Sequence, residues 1–204
     1  MSKAWLSVFR RHAFPLSLAL LSLLLQLAPD NWLRTLRYER TAVVHGEMWR
    51  WLSAHFIHLN WTHWLFNLVG LGLVWVLFAT RLRQAQWWMA CLWSIIAIDL
   101  GVYFFNPAVD WYVGTSGLLH GLFAAGAVAS LRQSGWRSGI YLLLLVVKIG
   151  WEQFAGALPG SATAIGARVV IEAHFYGAVS GALFAAFLPM RSQPTGNTRI
   201  SADG

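Results

Sequence analysis

The chain has 204 residues, of which 57% are hydrophobic, 15% aromatic and only 11% charged, with a formal net charge of +7. A soluble domain carries roughly 25% charged residues, so this composition argues against an ordinary soluble enzyme and equally against intrinsic disorder. At about 20 residues per membrane crossing, the length accommodates about six helices with their loops and no separate soluble domain.

Apolar segments follow one another at about 13–28, 61–79, 87–105, 114–131, 139–154 and 169–188. They predict an all-α membrane protein, a bundle of six transmembrane helices with a long first loop. A single membrane domain covers 1–189 and a polar tail covers 190–204. The basic N-terminus ahead of the first segment has the outline of a signal peptide. It lacks a small-x-small cleavage site, and further spans follow, so it reads as an uncleaved span. The single cysteine, Cys91, permits neither an internal disulfide nor a CxxC site.

Orientation follows from the distribution of Lys and Arg. Lys3, Arg10 and Arg11 precede the first helix, Arg81 and Arg83 follow the second, Arg132 and Arg137 follow the fourth, and Arg191 and Arg199 lie in the tail. The third-to-fourth loop has none, and the fifth-to-sixth has only Arg168 at its end. Both termini are therefore expected in the cytoplasm. The first loop breaks the trend with Arg34, Arg37, Arg40 and Arg50. The +7 charge thus reports orientation, and no nucleic-acid partner is expected.

Polar groups inside a bilayer are costly, so each is a functional candidate. Ser116 lies in Gly114-Thr115-Ser116-Gly117, where a loop enters a helix and free backbone N–H groups could stabilise an oxyanion. As a bland alternative it is an N-cap. His174 lies three residues before Gly177, and Gly177 and Gly181 form a GxxxG pair that permits close helix packing. If the neighbour is the fourth helix, His174 reaches Ser116 and can act as its general base. His63 and Asn67 share a face of the second helix and can both donate hydrogen bonds. His55 and His58 have no evident carboxylate partner and read as loop-packing residues. No HExxH is present, and no metal or other cofactor is expected. His120, one turn beyond Ser116, could bond a water, tune His174, touch substrate or simply bridge helices. Glu172 points away from the His174 face and could bond the loop or a substrate. Lys148 and Glu152, at i, i+4, read mainly as a structural pair. Asp99 reads as a partner to a neighbouring helix, and Arg168 as an interface anchor.

In combination these pieces resemble the rhomboid family of intramembrane serine proteases. The resemblance covers the first loop and the second to sixth helices. It rests on Trp49-Arg50, on HxxxxHxxxN at His58, His63 and Asn67, on GxSG at Gly114 to Gly117, and on AHxxGxxxG from Ala173 to Gly181. It implies a Ser116–His174 dyad that needs no third member. It also implies an oxyanion hole of His63, Asn67 and the Ser116 N–H, and a folding role for Trp49 and Arg50. The runs GTSGLLHGLFAAGA, VKIGWEQ and VVIEAHFYGAVSG resemble the narrower rhombosortase branch. That likeness implies a substrate anchored by a C-terminal tail with a Gly-Gly motif (GG-CTERM), cut at the outer face of a bacterial inner membrane. Two alternatives stand beside it: a conventional rhomboid protease with broader transmembrane substrates, and a non-catalytic helix-binding relative. A proton-relay transporter is a more distant one, since no inverted repeat is visible.

Overall fold

The computed structural model describes residues 3–189; the tail expected over 190–204, with Arg191 and Arg199, lies outside them. In chain order the helices are α1 (Lys3–Gln26), α2 (Asn31–Leu36), α3 (Arg40–Val44), α4 (Arg50–Ser53), α5 (Trp61–Phe78), α6 (Gln84–Phe105), α7 (Ser116–Ser134), α8 (Gly139–Ala155), α9 (Ser161–Ile165) and α10 (Ile171–Phe187). A 3-10 turn, Trp136–Ser138, leads into α8. Helix α1 starts well before the expected residue 13 and carries Pro15 within it. Helix α7 starts at Ser116, two residues after the expected position. Gly114 precedes it at φ +111°, a conformation that no helix contains and that favours glycine.

The α5 and α6 helices and the stretch Trp136–Ala155 are each long and apolar enough to cross a membrane. Helix α10 is shorter, with 17 residues, and both α7 and α10 are diluted by glycines and polar groups. The chain is inside-out relative to a soluble protein. Val76, Phe104, Phe105, Val147, Phe154 and Phe187 are exposed on the flanks, while His55, His63, Asn67, Asp99, Glu152 and His174 are buried. Apolar flanks with a polar interior are what hydrocarbon selects, and they make the chain an integral membrane protein.

Helix α7 lies at the centre. Its Leu118, Leu122, Ala124, Ala125 and Ala127 are fully buried, and α5, α6, α8 and α10 surround it. Its most extensive contact is with α10, and glycines set that approach. A Cβ added at Gly177 would fall on the carbonyl of Gly117, and one at Gly181 on the carbonyl of Gly121. A Cβ at Gly117 would stand 2.9 Å from the Ala173 oxygen. The two backbones therefore touch, and no larger residue fits between them. Arg132, in the last turn of α7, donates to the Ala185 carbonyl and, at 2.9 Å, to that of Leu188, capping the free end of α10.

The first loop is built from α2, α3, α4 and one short strand. That strand, β1 (Tyr38–Glu39), pairs antiparallel with β2 (Trp111–Tyr112) ahead of α7, the one small sheet among the described residues. Arginines hold the loop. Arg40 donates to the carbonyls of Tyr103 (2.9 Å), Val102 (2.8 Å) and Asn106 (3.0 Å) at the end of α6. Arg50, buried, donates to Arg34 O (2.7 Å) and Arg37 O (2.9 Å) and pairs with Glu47. Trp49 remains half exposed and donates its indole N–H to Thr35 O at 3.2 Å.

Gly181→Ala is expected to destabilise the protein by about 2 kcal/mol or more, because backbone cannot yield to the new methyl. Gly150→Ala, whose Cβ would meet nothing within 4 Å, is expected to stay within about 0.5 kcal/mol of wild type or gain slightly. Thermal unfolding in detergent, run on both variants side by side, checks the contrast.

Candidate active site

The contact between α7 and α10 sets the site. Ser116 is the first residue of α7, held there by the Gly114 turn. His174 sits in the first turn of α10, on the face that meets α7. Its Nε2 lies 2.9 Å from the Ser116 Oγ, although 58 residues separate them in sequence. The serine hydroxyl can donate only if that nitrogen is unprotonated, which is the arrangement of a general base next to a nucleophile.

Asn60 caps α5 by accepting from the His63 N–H at 2.9 Å. This fixes the first turn of α5, so that His63 and Asn67 point inward. A Cβ on Gly114 would stand 2.7 Å from the His63 Nε2, so only glycine lets the loop pass so close to that ring. Asn67 Nδ2 donates one hydrogen to His63 O at 3.1 Å, which leaves its second N–H free for a ligand. Two cavities meet at Ser116. One, of about 190 Å3, runs under the loop past His63, Tyr112, Gly114 and Val169. The other, of about 570 Å3, is an apolar cleft between α5 and α8 that reaches Asn67, His120 and His174.

A profile of the Rhomboid domain matches residues 45–191. The chain belongs to the rhomboid family. It is also 26% identical over 160 residues to "Putative rhomboid protease YdcA" of Bacillus subtilis (strain 168), covering 74% of this chain and 73% of that one. At the level of the family, both findings support an intramembrane serine peptidase acting on transmembrane substrates in the bilayer.

The structure corrects several expectations about the accessory polar residues. Lys148 and Glu152 do pair, at 2.7 Å, and both also reach side chains of the neighbouring helices. Both carboxylate oxygens of Glu152 stand 3.0 Å from the His174 Nδ1. Lys148 Nζ lies 2.5 Å from His120 Nε2 and 3.2 Å from His174 Nδ1. His120 stacks on His174, with ring centroids 4.2 Å apart, and its Nδ1–H donates to Ser116 O at 2.7 Å. The i, i+4 spacing of Lys148 and Glu152 was visible in the sequence, but its neighbour across the bundle was not. Glu172 bonds the loop, pairing with Arg168 at 2.8 Å.

His55 does have a carboxylate partner, contrary to expectation. Its Nε2 lies 3.2 Å from Asp99 Oδ1, and the Tyr112 hydroxyl donates to the same oxygen. Asp99 therefore ties α6 to two loop segments rather than to a neighbouring helix. Burial first, and then the Asp99 carboxylate, push the Tyr112 phenol up, so it stays a donor. His58 meets Thr115, Nε2 to Oγ1, at 3.2 Å and so supports the turn before Ser116. The donors of His120, Glu152 and His174 lie within 4.8 Å of one another, as metal ligands do. The Lys148 ammonium already stands among them.

Burial, aided by the nearby His63, lowers the His58 pKa to about 3. An unfolded histidine takes up its proton near pH 6.5, so between 6.5 and about 3 the unfolded chain binds a proton that the folded chain refuses. His58 therefore costs stability as pH falls through that window. The wild type is expected to lose stability between pH 6.5 and 4 more steeply than His58→Gln, measured by thermal unfolding in detergent at each pH.

Proposed function

We propose that the protein is an intramembrane serine endopeptidase in which Ser116 is the nucleophile and His174 the general base. The observation that carries this reading is the 2.9 Å contact between Ser116 Oγ and His174 Nε2 at the meeting point of two cavities. The Ser116 oxygen attacks a substrate carbonyl while its proton passes to His174 Nε2. The tetrahedral oxyanion is met by the Ser116 N–H, His63 and the free N–H of Asn67. The peptide C–N bond then breaks, and His174 returns the proton to the leaving amine. Water repeats the sequence on the acyl-enzyme, restoring Ser116.

The substrate is a transmembrane segment, and the apolar cleft between α5 and α8 suits one. A helical substrate has no free backbone groups and must unwind before attack. Glycines lower that barrier, since each costs about 1 kcal/mol in a helix relative to alanine. The cavity of about 190 Å3 beside Ser116 suits small residues at the cut. Both points support a C-terminal Gly-Gly sorting tail of exported proteins as the substrate.

The reading also includes six spans in a bacterial inner membrane, both termini cytoplasmic, and a site open to the periplasm. Three of the four arginines of the first loop have contacts that are compatible with this orientation. Arg40 and Arg50 are consumed by backbone carbonyls, and Arg37 pairs with Glu39 at 2.9 Å. They act as struts rather than as cytoplasmic anchors.

Ser116→Ala is expected to fold normally and to abolish cleavage of a co-expressed protein bearing a Gly-Gly tail. A serine-reactive fluorophosphonate is expected to label the wild type and not this variant. Retained cleavage in Ser116→Ala would sink the assignment. A generic helical substrate cut as fast as the Gly-Gly tail would point to a broader protease. A phosphatase reporter inserted in the loop before β2 is expected to be active, and one inserted after α7 inactive.

A further inference from the structure

Glu152 is 2% exposed, deep in a chain whose surroundings penalise every charge. Lys148, one turn away on α8, already compensates it. That pair needs no third member, yet Glu152 also turns both its oxygens to His174 Nδ1 at 3.0 Å. Proton bookkeeping gives the contact its meaning. A neutral imidazole carries one N–H. If Nε2 is to accept from Ser116, the proton must sit on Nδ1, and it then requires an acceptor. Among the described residues, the acceptors within reach of Nδ1 are the two Glu152 oxygens.

Lys148 Nζ, 3.2 Å from the same Nδ1, is a donor and would impose the opposite tautomer. Its shorter contacts lie elsewhere, at 2.7 Å to Glu152 and 2.5 Å to His120 Nε2. The His120 contacts are mutually consistent. Its Nδ1–H is committed to the Ser116 carbonyl, so its Nε2 is free to accept from Lys148. The ammonium is thus drawn away from His174 by two better acceptors, and the carboxylate is left facing the base.

We propose that Glu152 is a positioning residue for His174. It fixes the Nδ1–H tautomer and completes a Ser116–His174–Glu152 relay across α7, α10 and α8. Lys148 holds the carboxylate in place and, through His120, ties it to the Ser116 backbone. During attack the Ser116 proton goes to Nε2, giving an imidazolium with both nitrogens protonated. Glu152 stays ionised and stabilises that charge; no proton passes to it. Glu152 and not Glu172 is the third member, because both oxygens of Glu152 face the ring from α8 while Glu172 pairs with Arg168. The inference rests on the Ser–His reading above.

The test uses the full chain in detergent with 15N-labelled histidine. His174 is assigned by loss of its signals in His174→Gln. Wild-type His174 is expected as the Nδ1–H tautomer. Glu152→Gln keeps the shape and an acceptor oxygen but removes the charge. It is expected to lower kcat by about 10²- to 10⁴-fold on a tailed substrate, with KM within about threefold of wild type. Glu152→Leu is expected to lose the Nδ1–H signal as well. A folded Glu152→Gln with wild-type kcat overturns the inference. So does a wild-type His174 protonated on Nε2, a result that needs no substitution at Glu152. If the wild type neither labels with fluorophosphonate at Ser116 nor cleaves, the Ser–His reading fails first and takes this inference with it.

Discussion

The molecule depends on the contact of two backbones. Helices α7 and α10 meet through Gly117, Gly121, Gly177 and Gly181; an added methyl group would collide with main-chain atoms at Gly117, Gly177 and Gly181, and with the Ser94 side chain of α6 at Gly121. In hydrocarbon there is no hydrophobic force to draw helices together, so close packing and polar contacts must do it. The same approach that stabilises the bundle brings His174 to 2.9 Å from Ser116. A wider separation of the two helices would leave a folded bundle with two unrelated polar residues. Stability and the proposed chemistry therefore share one geometric constraint.

Around that contact, polar residues divide between two clusters. Ser116, His174, Glu152, Lys148 and His120 form a connected set reaching across three helices. His55, Asp99 and Tyr112 form another, which fastens the loop before α7 to α6. His58 links the first loop to that turn through Thr115. The turn that presents Ser116 is thus restrained from below by α7 and from above by the first loop. Such restraint matters for the proposed nucleophile, because a misplacement of about 1 Å costs about a hundredfold in rate.

The first loop shows how charge can mislead when it is only counted. Its arginines look like a violation of the positive-inside trend. In the structure, Arg40 caps the exposed carbonyls at the end of α6, and Arg50 knots α2 to α4. A guanidinium carries five donors in a fixed fork and so can satisfy several carbonyls at once. Arg40 and Arg50 are placed for their donors.

Much of this protein can be read in the sequence itself. Scarcity of charge and the succession of apolar segments dictate a helical membrane protein. The GxxxG spacing at Gly177 and Gly181 announces a close helix pair, and Ser116, His174, His63 and Asn67 stand in motifs that local rules can interpret. Those signals are local, since helix periodicity and turn chemistry act over four residues or fewer. What lay beyond them was the pairing of side chains across the bundle. Lys148 and Glu152 satisfy each other on one helix, so nothing in their spacing reveals that α8 turns them toward His174. His55 and Asp99 are 44 residues apart, and the packing of the first loop against α6 brings their segments together. The sequence determined which groups are too costly to leave unpaired in a bilayer; the tertiary structure decided which partner each one found.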